Sequence, residues 1–353
     1  MKIDILTLPG STTGVIPNDI ETGVGGSELM LLQWARHMTR RGHVIRIYNN
    51  PHTPGVYEGV SFRNAGVFRN GDDRDVLISF RTPQPEETIP AKAVIRVGWS
   101  TDQFDQAYQR QWYAQVDGMV GISEYQRQDH MRRCSLTEAQ NKMRVIEIGC
   151  EPEEFPVTEK TPYQFIYNSI PGRGLVHLAE LWPLIRARYP EATLVVTSDF
   201  RLWTRGRYAG NEEYYELFRA MPGVRFLGCI PRSELLRHER ESEIHLYPCT
   251  YEELFCISSA ETQMAGCYGI TSSVGALATT NFTGYRSPFD PGTQEFTDDV
   301  LREIDRWYVF PPEKRQEFHT EIRRVAHARF SWERICAEWE ELFTEILRTK
   351  RNA

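Results

Sequence analysis

No stretch of the 353-residue chain sustains an apolar run of about 18 residues, so a membrane-crossing helix is not expected. The opening MKIDILTLPG has no basic segment followed by a long apolar one, and it reads as a strand, not a secretory leader. A cytoplasmic protein is the expectation, with association to a membrane surface through an amphipathic face left open. Cysteine is sparse and scattered: Cys134, Cys150, Cys229, Cys249, Cys256, Cys267 and Cys336 form an odd set without a CxxC pair. That speaks against a disulfide framework and a zinc site, and it suits a reducing compartment. Basic residues are outnumbered, 41 Lys and Arg against 48 Asp and Glu, and a net charge of -7 argues against a general nucleic-acid binder, which needs a basic face. Low-complexity tracts, a GxGxxG fingerprint and a GxSxG elbow are also missing.

What is present is alternation. β-Branched runs at residues 3–8, 44–48, 75–80, 93–99, 118–123 and 144–148 are separated by segments of helical spacing, the pattern of βα units on a parallel sheet. In the first helical segment Leu31, Trp34, Ala35 and Met38 recur at i, i+3, i+4 and i+7, and Gly42 stands at the expected stop. A chain of this length exceeds what one core usually supports, so two α/β domains are expected. Residues 150–162, rich in proline and glutamate, form the best linker. A second series follows at 165–168, 193–198, 224–227, 244–247 and 268–272, with a helix over 175–188. The reading is a domain over 1–155, another over 156–330 and a terminal helix over 331–353. In that helix Trp332, Ile335, Cys336, Trp339, Leu342, Phe343, Ile346 and Leu347 form an apolar stripe that must pack on its own domain or on the first.

Loops at the carboxyl ends of parallel strands are where ligands bind, because helix N-termini there offer unpaired N–H groups to anions. The loop after the first strand ends in GVGGSE, where Gly25 and Gly26 allow backbone to approach a ligand; the alternative is a flexible loop with a Ser27 cap. In YNSIPGRGL, Arg173 opens a helix and is placed either for a phosphate or for solvent. The run CTYEELFCISSAETQMAGCYGI holds Glu253 and Glu261 around a helix start. Carboxylates repel a diphosphate and accept from hydroxyls, so the pair suits ribose and sugar while the N–H groups between them suit phosphate; two solvated acids are the alternative. Asp73-Arg74-Asp75 spells DxD but precedes a strand, at the edge of a sheet where ligands do not bind. His37, His177 and His327 lie on helical stretches, where histidine is ordinarily structural.

The run holding Glu253 and Glu261 resembles the ExxxxxxxE motif of glycosyltransferase family 4, with Pro248, Ala260, Ala265-Gly266 and TSSVGAL in matching places. Arg173-Gly174 resembles that family's phosphate-binding Lys-Gly turn. GGSE is similar to its N-domain glycine loop, RVIEIGCEPEEF to its end-of-domain signature, ISEYQRQD to its Ser-Glu-x-x-Arg helix start and FSWERICAEWEELF to its closing helix. The resemblance implies an α/β protein of GT-B architecture: two Rossmann-like doubly wound parallel-sheet domains facing each other across a cleft, with the terminal helix packing back. It implies transfer of a hexose-type sugar, with retention, from a UDP- or GDP-sugar to an unidentified hydroxyl acceptor, with no cofactor and no obligatory metal.

Carried over by position, Glu261 holds the ribose, and Glu253 with the backbone from Leu254 through Phe255, Cys256 and Ile257 contacts sugar and diphosphate. Arg173 neutralises the leaving phosphate, Gly25 and Gly26 approach the donor, and Cys229 and Ile230 form the base-contacting turn. Two departures stand out. Asn168 and Ser169 occupy the region where the family carries a second cation, and VGWSTD offers Thr101 and Asp102 where a His-Asp pair is usual, which makes Asp102 the third catalytic candidate. These departures keep open a catalytically silent sugar-nucleotide-binding protein; a sugar-nucleotide epimerase of the same architecture is a second alternative, which no feature of the sequence favours.

Overall fold

The computed structural model describes residues 1–7, 14–81, 89–103, 110–199 and 212–352. Leu8 and the first part of the loop after it lie outside the described residues. The chain divides into two units, residues 1–20, 26–149 and 332–353 in the first and residues 21–25 and 150–331 in the second.

In the first unit β1 (Lys2–Thr7) is buried at every position but its first, as a strand covered on both faces must be. It lies parallel between β2 (Val44–Tyr48) and β5 (Val76–Phe80). Beyond β2 come β4 (Val60–Arg63) and antiparallel β3 (Gly55–Tyr57), which sequence periodicity did not reveal because each is very short. Beyond β5 come β6 (Ile95–Trp99), β7 (Gly118–Gly121) and β8 (Met143–Val145), completing eight strands. Helix α1 (Gly26–Arg40) buries Leu31, Trp34, Ala35 and Met38 as its spacing requires. Among the other helices of this unit are α2 (Arg110–Gln115) and α3 (Glu124–Cys134), the latter capped by Ser123 Oγ, which accepts from Gln126 N. Asp73 pairs with Lys2 at 2.6 Å and buried Arg74 pairs with Asp4 at 2.7 Å, so the DxD tripeptide stands at the amino end of β1.

The second unit has six parallel strands in the order β11-β10-β9-β12-β13-β14. They are β9 (Thr161–Tyr167), β10 (Thr193–Val196), β11 (Val224–Phe226), β12 (Ser242–Tyr247), β13 (Tyr268–Ser272) and β14 (Tyr285–Ser287). Among the described residues the helices between and after them are α4 (Leu175–Arg188), α5 (Glu212–Ala220), α6 (Arg232–Glu241), α7 (Ile257–Met264), α8 (Leu277–Thr280), α9 (Gln294–Val309) and α10 (Pro312–Phe330). Helix α11 (Trp332–Asn352) belongs to the first unit. There Trp339 meets Trp34 and Trp99 at ring separations of 5.2 and 4.8 Å, and Trp332 donates to Gln33. Its apolar stripe is buried except for half-buried Leu347.

His245 on β12 is fully buried, and neither ring nitrogen finds a hydrogen-bond partner among the described residues. Burial pushes its pKa down from 6.5 to about 3, so the folded chain keeps the ring neutral while the unfolded chain protonates it below pH 6.5. The stability this neutrality confers is complete above pH 6.5 and is lost as pH falls toward about 3. His245→Leu should therefore lose less stability than the parent chain between pH 7 and pH 4.5. Urea midpoints at the two pH values measure this, and equal losses would clear His245 of the acid limb.

Candidate functional site

With β9 as the first strand of its unit, the second sheet runs 3-2-1-4-5-6, and the order reverses between β9 and β12. Loops leaving the carboxyl ends of those two strands diverge, which opens room for a ligand. After β9 come Asn168, Ser169 and a 3-10 turn over Pro171–Arg173, then Gly174 and α4. After β12 the chain runs from Pro248 to Cys256 and enters α7. Gly174 has φ 127°, and a Cβ on it would lie 2.0 Å from the Pro248 carbonyl oxygen, so the two loops touch backbone to backbone. On its other side the β12 loop is pinned at Gly275, φ 59°, whose Cβ would lie 2.5 Å from the Glu253 carbonyl oxygen.

Arg173 Nη1 donates to both carboxylate oxygens of Glu253, at 2.8 and 3.0 Å, and the guanidinium lies 4.6 Å from the Tyr251 ring centre. The Tyr247 hydroxyl also donates to Glu253, at 2.7 Å, so Ser169 Oγ, 3.0 Å from it, must donate in turn to Tyr247. Burial works against the charge on Arg173, but the Glu253 carboxylate outweighs it and holds the guanidinium above its ordinary range. The sequence assigns these two residues separate roles, whereas the structure makes them one bonded pair. Cys256 precedes α7 at φ 76° and ψ 83°, a left-handed conformation that costs a residue with a Cβ about 1–3 kcal/mol and clusters at ligand sites. Burial raises its thiol well above the ordinary value, which rules it out as a thiolate nucleophile near neutral pH. Leu254 and Phe255 are buried, Phe255 edge-on against Phe330, so only their backbone is available to a ligand; Ile257 opens α7.

A second cluster surrounds Glu261 in α7. Its Oε1 accepts from Arg232 Nη2 at 2.6 Å, and the same nitrogen donates to Glu154 at 2.6 Å. Close by, Glu239 is fully buried and accepts from Asn168 Nδ2 at 2.7 Å. Burial, reinforced by the charge of Glu261, raises the Glu239 carboxyl well above its ordinary value. Asn168 and Ser169 join the two clusters: the Asn168 side chain reaches Glu239 and its main-chain carbonyl accepts from Ser258 Oγ at 2.8 Å, while Ser169 reaches Tyr247. A long cation at position 168 would displace the amide from Glu239.

Cys229 and Ile230 lie on the turn after β11, which leads directly into α6 and Arg232. Gly25 belongs to the second unit, in the segment whose Glu21 carbonyl accepts from Arg232 N at 3.0 Å. Gly26 is the first residue of α1 in the first unit, which puts Ser27 inside the helix, where it accepts from Thr101 Oγ1 and is not the cap. Asp102, also in the first unit, is gripped at 2.6 and 3.1 Å by Arg81, which donates as well to Glu28 at 2.6 Å. Sequence reasoning missed Arg81, Arg232, Glu239 and Tyr247. Only Arg81 and Tyr247, at the carboxyl ends of their strands, carried a positional signal; Arg232 and Glu239 look like ordinary surface charges on a polar helix.

No protein-family model matches the chain, and no curated protein sequence matches it. Solved structures do. A glycosyltransferase from Rickettsia africae ESF-5 is similar with a TM-score of 0.71 at 15% identity, covering 98% of this chain and 98% of its own. Sucrose-phosphate synthase from Thermosynechococcus elongatus gives 0.72 at 13%, covering 99% of this chain and 100% of its own. Anabaena HepE in complex with UDP gives 0.69 at 14%, covering 98% and 100%. At these identities the likeness establishes the fold, and the chain has the two-sheet GT-B fold of these glycosyltransferases.

Proposed function

We propose that the chain is a retaining glycosyltransferase of the family 4 type that takes a hexose-type sugar from a nucleoside diphosphate sugar, a UDP- or GDP-sugar, and passes it to a hydroxyl acceptor. The observation that carries this reading is the convergence of Arg173, Glu253 and the amino end of α7 where the strand order of the second sheet reverses. Solved structures of similar fold support the donor class: HepE is seen with UDP and with UDP-glucose, and a starch synthase with ADP.

Breaking the sugar–phosphate bond leaves negative charge on the diphosphate and an oxocarbenium-like sugar. In this reading the N–H groups opening α7 and the Arg173 guanidinium take up that charge. Glu253, released from part of its bond to Arg173 as phosphate oxygens compete for the guanidinium, accepts from sugar hydroxyls. The acceptor hydroxyl attacks from the leaving-group side, its oxygen bonding to the anomeric carbon as the sugar–phosphate bond breaks, and its proton passes to a phosphate oxygen of the leaving diphosphate. This step needs no protein nucleophile, and no obligatory metal is proposed. Glu261 takes the ribose and Asp102 the acceptor or sugar. The protein acts in the cytoplasm.

The test mixes the protein with a panel of sugar nucleotides and acceptors and follows free nucleoside diphosphate. Glu261→Ala should weaken donor binding about tenfold, the loss of one charged hydrogen-bond acceptor. Tight binding of a sugar nucleotide without turnover on any acceptor would defeat the transfer reading and favour a silent binder. Conversion of the donor's sugar with no acceptor present would favour an epimerase.

A further inference from the structure

We propose that Arg232 is the positioning residue for the donor's ribose, acting through Glu261 and not by touching the nucleotide. The inference rests on the donor site proposed above and adds to it a residue outside its motifs. Arg232 is only 7% exposed, and its guanidinium bridges Glu154 and Glu261. Its own backbone is fixed as well: its N–H donates to the Glu21 carbonyl, and the next residue, Ser233, is bonded through its hydroxyl to the Glu21 carboxylate. The planar fork is thus held at the main chain and at two carboxylates, leaving little freedom to swing toward a ligand.

Glu261 is 4% exposed and shares its surroundings with the carboxyl groups of Glu239 and Glu154. A buried carboxylate among acids is disfavoured unless a cation pairs with it, and Arg232 is the cation bonded to it among the described residues. By occupying Oε1 the guanidinium restrains the carboxylate, so that Glu261 presents its other oxygen to a hydroxyl. Its charge is already shared between two acids, which makes it a poor competitor for the diphosphate. Asn168 borders the same cluster: its Nδ2 donates to buried Glu239, which itself has no bond to Arg232, so the guanidinium is committed to Glu154 and Glu261.

Calorimetric titration with UDP, ADP and GDP first identifies the diphosphate that binds most tightly, and the same titration is repeated with its 2′,3′-dideoxy analogue. Arg232→Gln should weaken the ribonucleotide about tenfold and the dideoxynucleotide by less than about twofold, because the bond it weakens needs the ribose hydroxyls. Arg232→Lys should fall between, and adding Arg232→Gln to Glu261→Gln should weaken binding no further. Both ligands are read on one preparation, so a partly unfolded variant shifts neither ratio. Equal losses for the two ligands would show contact with the diphosphate or a merely structural role and overturn the inference, leaving the donor site standing. Failure of the unaltered chain to bind any of the three diphosphates would remove both.

Discussion

Arg173→Ala is expected to lower sugar-nucleotide turnover about 10²–10³-fold, the loss typical when a fixed donor to developing negative charge is removed. The guanidinium is delivered by a short turn after β9 and locked between Glu253 and the Tyr251 ring, so its position is set before any ligand arrives. Its removal has a second effect, because Glu253 is 4% exposed and would keep only the Tyr247 hydroxyl as a bonded partner among the described residues. Stranding a buried carboxylate by removing its cation costs about 3–5 kcal/mol, and the melting temperature should fall accordingly. The two effects separate in the double variant. Arg173→Ala with Glu253→Gln removes the stranded charge and should recover much of the stability, while turnover stays at the level of the single variant or below. If turnover recovers along with stability, Arg173 serves the fold and not the chemistry. Arg173→Lys keeps the charge without the fork and should lie between parent and alanine variant.

Gly174→Ala is expected to destabilise the second unit by roughly 3 kcal/mol or more and to abolish donor binding. At φ 127° a side chain is strained in any surroundings, and here the added carbon would sit 2.0 Å from a carbonyl oxygen of the neighbouring loop. Backbone must move, and the backbone in question carries Arg173 on one side and leads to Glu253 on the other. Gly66 is the control: it is not in the left-handed region and nothing lies within 4 Å of where its Cβ would be, so Gly66→Ala should change stability little or raise it slightly. Urea denaturation of the three chains reads the difference directly. A Gly174→Ala chain as stable as the parent would mean that the β9 and β12 loops are not in contact as described.

Much of this fold is legible in sequence because parallel strands covered on both faces must be apolar throughout, and amphipathic helices must repeat their apolar face every turn. Residues 268–272 and 175–188 show this in the second unit, where periodicity gave the observed bounds of β13 and α4. Short edge elements such as β3 and β14 carry too few residues for a period to register. The candidate site divides along the same line. Residues that a strand delivers to its own carboxyl end, among them Arg173 and Glu253, can be named from local sequence, since the strand fixes where the next loop begins.

What local sequence cannot supply is partnership. Arg173 and Glu253 are 80 residues apart, Arg232 and Glu261 29 apart, and Asn168 and Glu239 71 apart. The sequence alone determined the alternation of strand and helix, the parallel sheets that follow from it and the loops that end in a usable cation or acid. Only the tertiary structure decided which charges neutralise one another, which carboxyl burial pushes above its ordinary range, and that Asn168 and Ser169 tie two clusters together. The reason is physical: hydrophobic periodicity is a property of neighbours along the chain, whereas the state of a buried charge depends on groups that only folding brings within a few ångströms.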